Sequence, residues 1–99
     1  MIKHIVMWKI KEKHQGLTKE EICIKIKNDL ESLKNIISEI IKIEVGINVL
    51  ESAASYDLVL YSEFANEEAL KFYQSHEEHR KVASFIGEVS ESRIVVDYK

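Results

Sequence analysis

The stretch Ile2-Lys-His-Ile-Val-Met-Trp-Lys-Ile10 alternates between two sets of side chains, which is the pattern of a β-strand. The two faces of this strand carry Ile2, His4, Val6, Trp8 and Ile10 on one side and Lys3, Ile5, Met7 and Lys9 on the other. Both faces therefore contain apolar residues. A strand of this kind predicts a sheet that needs a covering layer on each side.

The residues that follow predict a helix and then a second strand. Thr18 and Glu21 have the spacing of a capping box, which satisfies two free amides at a helix start. An apolar stripe at intervals of three and four residues predicts one long helix, and it consists of Ile22, Ile26, Leu30, Leu33, Ile37 and Ile40. The period changes to two from Ile43 to Val49, which predicts a strand that ends near Glu51.

The second half of the chain repeats the order strand, helix, strand. Residues 56–64 are rich in β-branched and aromatic side chains and predict a third strand. Asn66 is a suitable N-cap for a second helix, which Gly87 is placed to stop, and residues 90–98 predict a fourth strand. This order predicts an α+β, ferredoxin-like βαββαβ fold, in which a four-stranded antiparallel sheet has two helices on one face.

Length and composition limit the class of protein. The 99 residues, 45% of them hydrophobic, can bury the core of one domain, predicted to span residues 1–99. The net charge of −3 and the absence of a basic stripe argue against nucleic acid as a partner. Apolar runs are too short to predict a signal peptide or a membrane span, so we expect a cytoplasmic protein without a membrane partner. Cys23 is the only cysteine, which excludes an internal disulfide.

The sheet face away from the helices predicts a partner. Ile5, Met7 and Val59 lie on that face, and the chain has no further element to cover them. A second copy is the economical covering layer, so we expect a homodimer that packs sheet face against sheet face. In the alternative, four charged residues keep this face hydrated in a monomer: Lys3, Lys9, Asp57 and Glu63.

Groups that transfer protons near neutral pH are concentrated in the segment Phe72-Tyr-Gln-Ser-His-Glu-Glu-His-Arg-Lys-Val-Ala-Ser-Phe-Ile86. It holds one phenol, Tyr73, and two imidazoles, His76 and His79. In an unbroken helix Tyr73 and His79 would point about 120° apart, so we expect them to converge only if the helix breaks between them. His76 and His79 do not have the spacing of a zincin motif, and we expect no metal site.

The chain resembles the stress-responsive A/B barrel (Dabb) family of dimeric α+β barrels over nearly its full length. The resemblance rests on residues 2–11, on Tyr56–Phe64, on Tyr73–His79 with Val82, Phe85 and Ile86, and on Val96-Asp-Tyr98. Family members typically have His-Pro-x-His in the second helix. Glu77 occupies the position of that proline, and the chain contains no proline.

One branch of this family is a polyketide cyclase, in which a tyrosine and the second histidine of the motif form the catalytic pair. By position these two residues are similar to Tyr73 and His79, and a pocket histidine of the first strand is similar to His4. A further histidine of that branch corresponds to Leu58, so the cyclase assignment transfers only in part. The resemblance implies a small hydrophobic pocket in each subunit and no cofactor.

These features support three functional hypotheses. In a cofactor-independent lyase or cyclase, His79 takes a proton from a carbon next to a carbonyl and Tyr73 donates to the enolate oxygen. A small hydrophobic ligand would then contact His4, Val6, Trp8, Phe72 and Ile86. The second hypothesis is a non-catalytic stress or ligand-binding protein, in which His79 only hydrogen-bonds at the margin of the core. The third, a cofactor-free quinol-type monooxygenase, rests on fold analogy.

Overall fold

The computed structural model describes all of residues 1–99 and contains six strands and three α-helices. In chain order these are β1 (Ile2–Ile10), β2 (Lys13–His14), β3 (Leu17–Thr18), α1 (Lys19–Ser32), β4 (Lys42–Ile47), β5 (Leu58–Phe64), α2 (Glu67–Ser75), α3 (Glu77–Val89) and β6 (Ser90–Tyr98). A single 3₁₀ turn, Leu33–Asn35, follows α1. None of the helices combines the length and the apolar character needed to cross a bilayer.

The main sheet has the strand order β4-β5-β1-β6, and all neighbouring strands are antiparallel. In β1 the residues that face the helices are buried, whereas the alternate residues are partly or fully exposed. The core lies between this face of the sheet and the helices and contains 19 buried apolar residues. The predicted ferredoxin-like α+β fold is therefore confirmed.

The polar segment between β1 and α1 forms a small hairpin. Its two-residue turn consists of Gln15 and Gly16, which both have positive φ angles, of 49° and 83°. A turn of this kind matches the twist of the two strands that it joins, β2 and β3. His14 lies half-buried beside Glu88, with its Nε2 atom 3.3 Å from the carboxylate.

The first helix begins as predicted and ends early. The Thr18–Glu21 capping box is present, but α1 stops at Ser32 instead of continuing to about residue 40. All six residues of the predicted apolar stripe are nevertheless buried. Ile37 and Ile40 reach the core from a turn, because spacing at three and four residues records which side chains face inward and does not require a continuous helix.

The predicted second and third strands are shorter than expected. β4 ends at Ile47 instead of Glu51, and β5 begins at Leu58 instead of Tyr56. Beyond β4, the amide of Asn48 still donates to the carbonyl of Asp57 over 2.9 Å, after which Val49 and Leu50 are exposed. The apolar character of this segment therefore did not indicate pairing within the sheet.

The predicted second helix consists of two helices that are separated at His76. Asn66 caps α2 as predicted, by accepting a hydrogen bond from the amide of Ala69 over 2.8 Å. His76 has extended backbone angles, with φ −63° and ψ 138°, and it ends α2 and begins α3. The prediction that Gly87 ends this region is wrong, because α3 continues to Val89, which is buried in the core.

The His76 imidazole acts as the N-cap of α3. Its Nδ1 atom accepts a hydrogen bond from the amide of Glu78 over 3.0 Å, the role that an Asn, Asp or Ser side chain usually has at a helix start. Two glutamates, Glu77 and Glu78, occupy the first turn, where the helix dipole favours negative charge. The helix therefore breaks here without a proline.

A stability measurement tests this cap. We expect His76→Ala to lower the free energy of unfolding by about 1 kcal/mol, since an amide at the start of α3 loses its acceptor. His76→Asn should keep the wild-type value, because the asparagine side chain supplies an equivalent acceptor. Urea denaturation at one fixed protein concentration measures both variants. Equal losses in the two variants would contradict the capping role.

Candidate functional site

A cavity of about 120 Å³ lies between the sheet and the helices. Six of the seven residues named from the sequence line it: His4, Val6, Trp8, Tyr73, His79 and Ile86. The chain therefore brings together side chains from β1, α2 and α3. Leu30 of α1 and Leu60 of β5 complete its apolar wall.

Phe72 is the exception, and its prediction as a pocket wall is wrong. Its side chain is 49% exposed, and its ring packs edge-on against the ring of His76, with centroids 5.9 Å apart. Consecutive helical residues point about 100° apart. Because Tyr73 faces the core, the residue before it in α2 faces solvent.

Tyr73 and His79 converge in the cavity. Their ring centroids are 4.4 Å apart and their planes are inclined by 54°. This contact spans the break at His76, so the geometry of one continuous helix does not apply to the pair. The convergence that requires a broken helix is thus present, although the chain lacks the proline of the family motif.

The tautomer of His79 follows from its hydrogen bond. Its Nδ1 atom is 3.1 Å from the carbonyl oxygen of Gln74, which can only accept, so Nδ1 carries the proton and Nε2 keeps a lone pair in the neutral ring. Burial is the main cause that lowers the pKa of His79 below its ordinary 6.5. The side chain is therefore a neutral base at pH 7.

The hydroxyl of Tyr73 is a buried donor without a partner. The side chain is fully buried, and its ring packs against Phe64 with centroids 4.9 Å apart. No group in the structure accepts its hydrogen bond, which costs about 1–3 kcal/mol. Burial raises the pKa of Tyr73 far above its ordinary value of 10, so the hydroxyl keeps its proton. It can stabilise negative charge on a ligand oxygen.

Asp97 orients His4 and was missed at the sequence level. The Nδ1 atom of the buried His4 lies 2.5 Å from Oδ1 of Asp97. The carboxylate of Asp97 accepts when ionised, which assigns the Nδ1 proton to His4 and leaves Nε2 as its free nitrogen. The two residues face each other across β1 and β6, a pairing that the chain makes between positions 93 residues apart.

Two further groups at the cavity were not found from the sequence. Arg93 and Ser90 of β6 line it, and Arg93 is the cross-strand neighbour of Trp8. The indole Nε1 of Trp8 is buried and has no hydrogen-bond partner. The alternation of β6 places Arg93 and Asp97 on one face of the strand. Finding the face of the sheet and the β1 residues that they contact required the register of β6 against β1.

The structure does not group His, Cys, Asp or Glu side chains into a set of three or more that could hold a metal ion. The Nδ1 atoms of His76 and His79 both bond to backbone groups, on Glu78 and Gln74. Cys23 is a buried free thiol, and burial is the main cause that raises its pKa.

Comparison with solved structures supports the fold. The chain is 38% identical to a dimeric protein with a ferredoxin-like fold from Bacteroides fragilis, with a TM-score of 0.83, over 99% of this chain and 94% of that one. A dimeric ferredoxin-like protein from Thermobifida fusca is 22% identical, with a TM-score of 0.81, over 98% and 88%. A hydroxynitrile lyase from Passiflora edulis is 20% identical, with a TM-score of 0.80, over 98% and 90%.

No curated protein was found to match the chain. The model of one protein family, described as the stress responsive A/B barrel domain, matches residues 2–99. That match extends from the start of β1 to the last residue after β6. This is the family that the sequence motifs resemble. The chain belongs to the stress-responsive A/B barrel (Dabb) family.

Proposed function

We propose that this protein is a cofactor-independent lyase or cyclase that acts on a small carbonyl compound, with His79 as base and Tyr73 as hydrogen-bond donor. The observation that carries the proposal is the meeting of these two side chains in one cavity, each in the protonation state that its role needs. A base with a free lone pair beside a protonated phenol is suited to forming an enolate.

The proposed step begins at Nε2 of His79. This atom takes a proton from a carbon next to the carbonyl, so that a C–H bond breaks and an N–H bond forms. The electron pair of the C–H bond becomes the C=C bond of an enolate, and the carbonyl π pair moves onto oxygen. Tyr73 donates a hydrogen bond to that oxygen, and the imidazolium later returns the proton. His4, oriented by Asp97, supplies a second imidazole at the same cavity.

The fold is compatible with lyase chemistry. The Passiflora edulis protein with the same fold is a hydroxynitrile lyase. Because one fold hosts many activities, this likeness does not by itself assign a reaction. The proposal therefore rests on the cavity of this chain.

A non-catalytic stress or ligand-binding protein, whose dimer is itself the functional object, is the second candidate, and the small volume of the cavity favours a stress protein that binds no ligand there. Ligand sites usually enclose about 300–1,000 Å³, whereas this cavity encloses about 120 Å³. In that case His79 and Tyr73 would contribute only to packing and to affinity. No feature of the cavity specifically favours the third hypothesis, a cofactor-free quinol-type monooxygenase.

Exchange of carbon-bound hydrogen separates the first two candidates. We expect the protein in D₂O to speed the loss of the α-proton signals of small ketones and dicarbonyl compounds, followed by ¹H NMR. Proton removal is visible in this assay whatever reaction follows it, so the natural substrate does not have to be known. Binding of a carbonyl compound without faster exchange would favour the non-catalytic candidate.

We also propose that two copies pair through the exposed sheet face and so form a dimeric α+β barrel. Exposed apolar side chains on that face include Met7, Ile94, Val96 and Tyr98. A patch of this kind is uncommon on monomers. Two structures that share the fold are described as dimeric, one of them 38% identical to this chain. Cytoplasmic location is part of the proposal, supported by the single free thiol of Cys23.

A further inference from the structure

The charge of the cavity lining is one-sided. Arg93 is the only permanently charged residue among the twelve that line the cavity, and none of them is an Asp or a Glu. None of the seven salt bridges in the structure includes Arg93. Strand β6 contains two acids: Glu91 is exposed and forms no salt bridge, and Asp97 is bonded to His4 and lines a different pocket. Arg93 is itself exposed, so its guanidinium places an unpaired positive charge at the solvent-facing margin of the cavity.

The same cavity holds two buried donors that have no acceptor. The indole Nε1 of Trp8 can only donate, and the hydroxyl of Tyr73 is kept protonated by its burial. Trp8 is 4% exposed and Tyr73 is fully buried, so bulk water does not satisfy either group. Buried polar groups are nearly always paired in native proteins. Two unpaired donors in one cavity indicate a ligand that carries at least two acceptor atoms.

The two donors and the cation are placed for different parts of one ligand. Tyr73 lies beside the base His79, whereas Trp8 and Arg93 are neighbours across β1 and β6. The positive charge of Arg93 also adds to the burial that lowers the pKa of His79, which places the guanidinium within electrostatic range of the base. Arg93 faces the helix side of the sheet, so the proposed dimer face does not cover it.

Resting on the proton-transfer function above, we propose that the cavity binds a short oxo acid, with its carboxylate at Arg93 and the indole N–H of Trp8 and its carbonyl oxygen at Tyr73. Guanidinium groups bind carboxylates by charge-assisted hydrogen bonds. The volume of about 120 Å³ limits the ligand. An engineered cavity of about 150 Å³ holds benzene, so the ligand has roughly six or seven non-hydrogen atoms.

Acetoacetate and acetylacetone form a matched pair of probes for this inference. They have the same number of non-hydrogen atoms and the same 1,3-dicarbonyl skeleton, but only acetoacetate carries a carboxylate at pH 7. Trp8 is the only tryptophan in the chain, so the single indole N–H signal in a ¹H–¹⁵N NMR spectrum reports its Nε1 directly. We expect acetoacetate to bind at least tenfold more tightly than acetylacetone and to move this signal.

The variant Arg93→Gln removes the charge and keeps a polar side chain. We expect it to weaken acetoacetate binding at least tenfold and to leave acetylacetone binding unchanged. Arg80→Gln is the matched control, because Arg80 is the other arginine of the chain, is exposed on α3 and does not line the cavity. This control should bind both probes as the wild type does. Equal affinity of the wild type for the two probes, or no binding of acetoacetate, would overturn the inference.

The outcomes separate this inference from the function on which it rests. If acetoacetate binds through Arg93 but its α-protons do not exchange faster in D₂O, the carboxylate site stands and the proton-transfer function fails. If the protein accelerates the exchange of acetylacetone over its rate in buffer as much as that of acetoacetate, and Arg93→Gln changes neither this acceleration nor the affinity, the function stands and the carboxylate site fails.

Discussion

Replacing His79 with glutamine will reduce protein-catalysed hydrogen exchange of a bound carbonyl compound by about 10²–10⁴-fold, the usual contribution of a general base. Glutamine retains polarity and an amide N–H that can donate to the carbonyl of Gln74, but it has no basic nitrogen. The loss should therefore appear in the exchange rate, while the affinity for the same compound changes little. NMR exchange rates and titrations on one sample measure both quantities.

A matched variant controls for the general effect of losing an imidazole. His14 is a half-buried histidine outside the cavity, paired with Glu88. His14→Gln should exchange the compound at the wild-type rate. If His79→Gln also exchanges it at that rate, His79 is not the base.

The pH dependence of exchange provides an independent check on the same residue. The base must be neutral, and burial lowers the pKa of His79 below 6.5. The rate should therefore fall to half of its maximum at a pH below 6.5, as the folded protein binds the proton. Burial raises the pKa of Tyr73 above 10, so the donor is not lost on the alkaline side below that pH. A half-maximal rate at pH 6.5 or above would assign the base role to another group.

Replacing Met7 with lysine will convert the proposed dimer into a monomer. Met7 is 36% exposed at the centre of the free sheet face, opposite Ile94 of β6. In a two-fold dimer each substitution occurs twice, so two new charges would lose water within one interface. The effective cost of burying one unpaired charge is several kcal/mol. We expect the dissociation constant to rise by at least 100-fold, measured by analytical ultracentrifugation.

A second variant and a control separate dissociation from unfolding. Val96→Lys changes a side chain that is 59% exposed on the edge strand β6, where a lysine should not disturb the monomer fold. Ile24→Lys places the same charge on an exposed position of α1, on the helix side of the sheet, and should remain dimeric. Circular dichroism should be unchanged in all three proteins. A wild-type protein that sediments as a monomer would refute the dimer.

Local patterns predicted the elements and their limits unequally well. The caps at Thr18 and Asn66 were identified because each depends on side chains within a few residues of the helix start. The predictions for the end of α1 and for the extent of the second helix were wrong, because the apolar periodicity continues through turns that also face the core. Phe72 was predicted to line the cavity, but its helical position before Tyr73 directs it to solvent.

The sequence alone established the ferredoxin-like order of strands and helices and the two-faced apolar character of β1, because alternation and periodicity are local properties. It also identified Tyr73 and His79 as candidate proton-transfer groups. Only the tertiary structure decided that they meet, since the direction of α3 after the break at His76 depends on packing against the sheet. It alone placed Asp97 beside His4 and Arg93 beside Trp8, because strand pairing joins residues that are far apart in the chain.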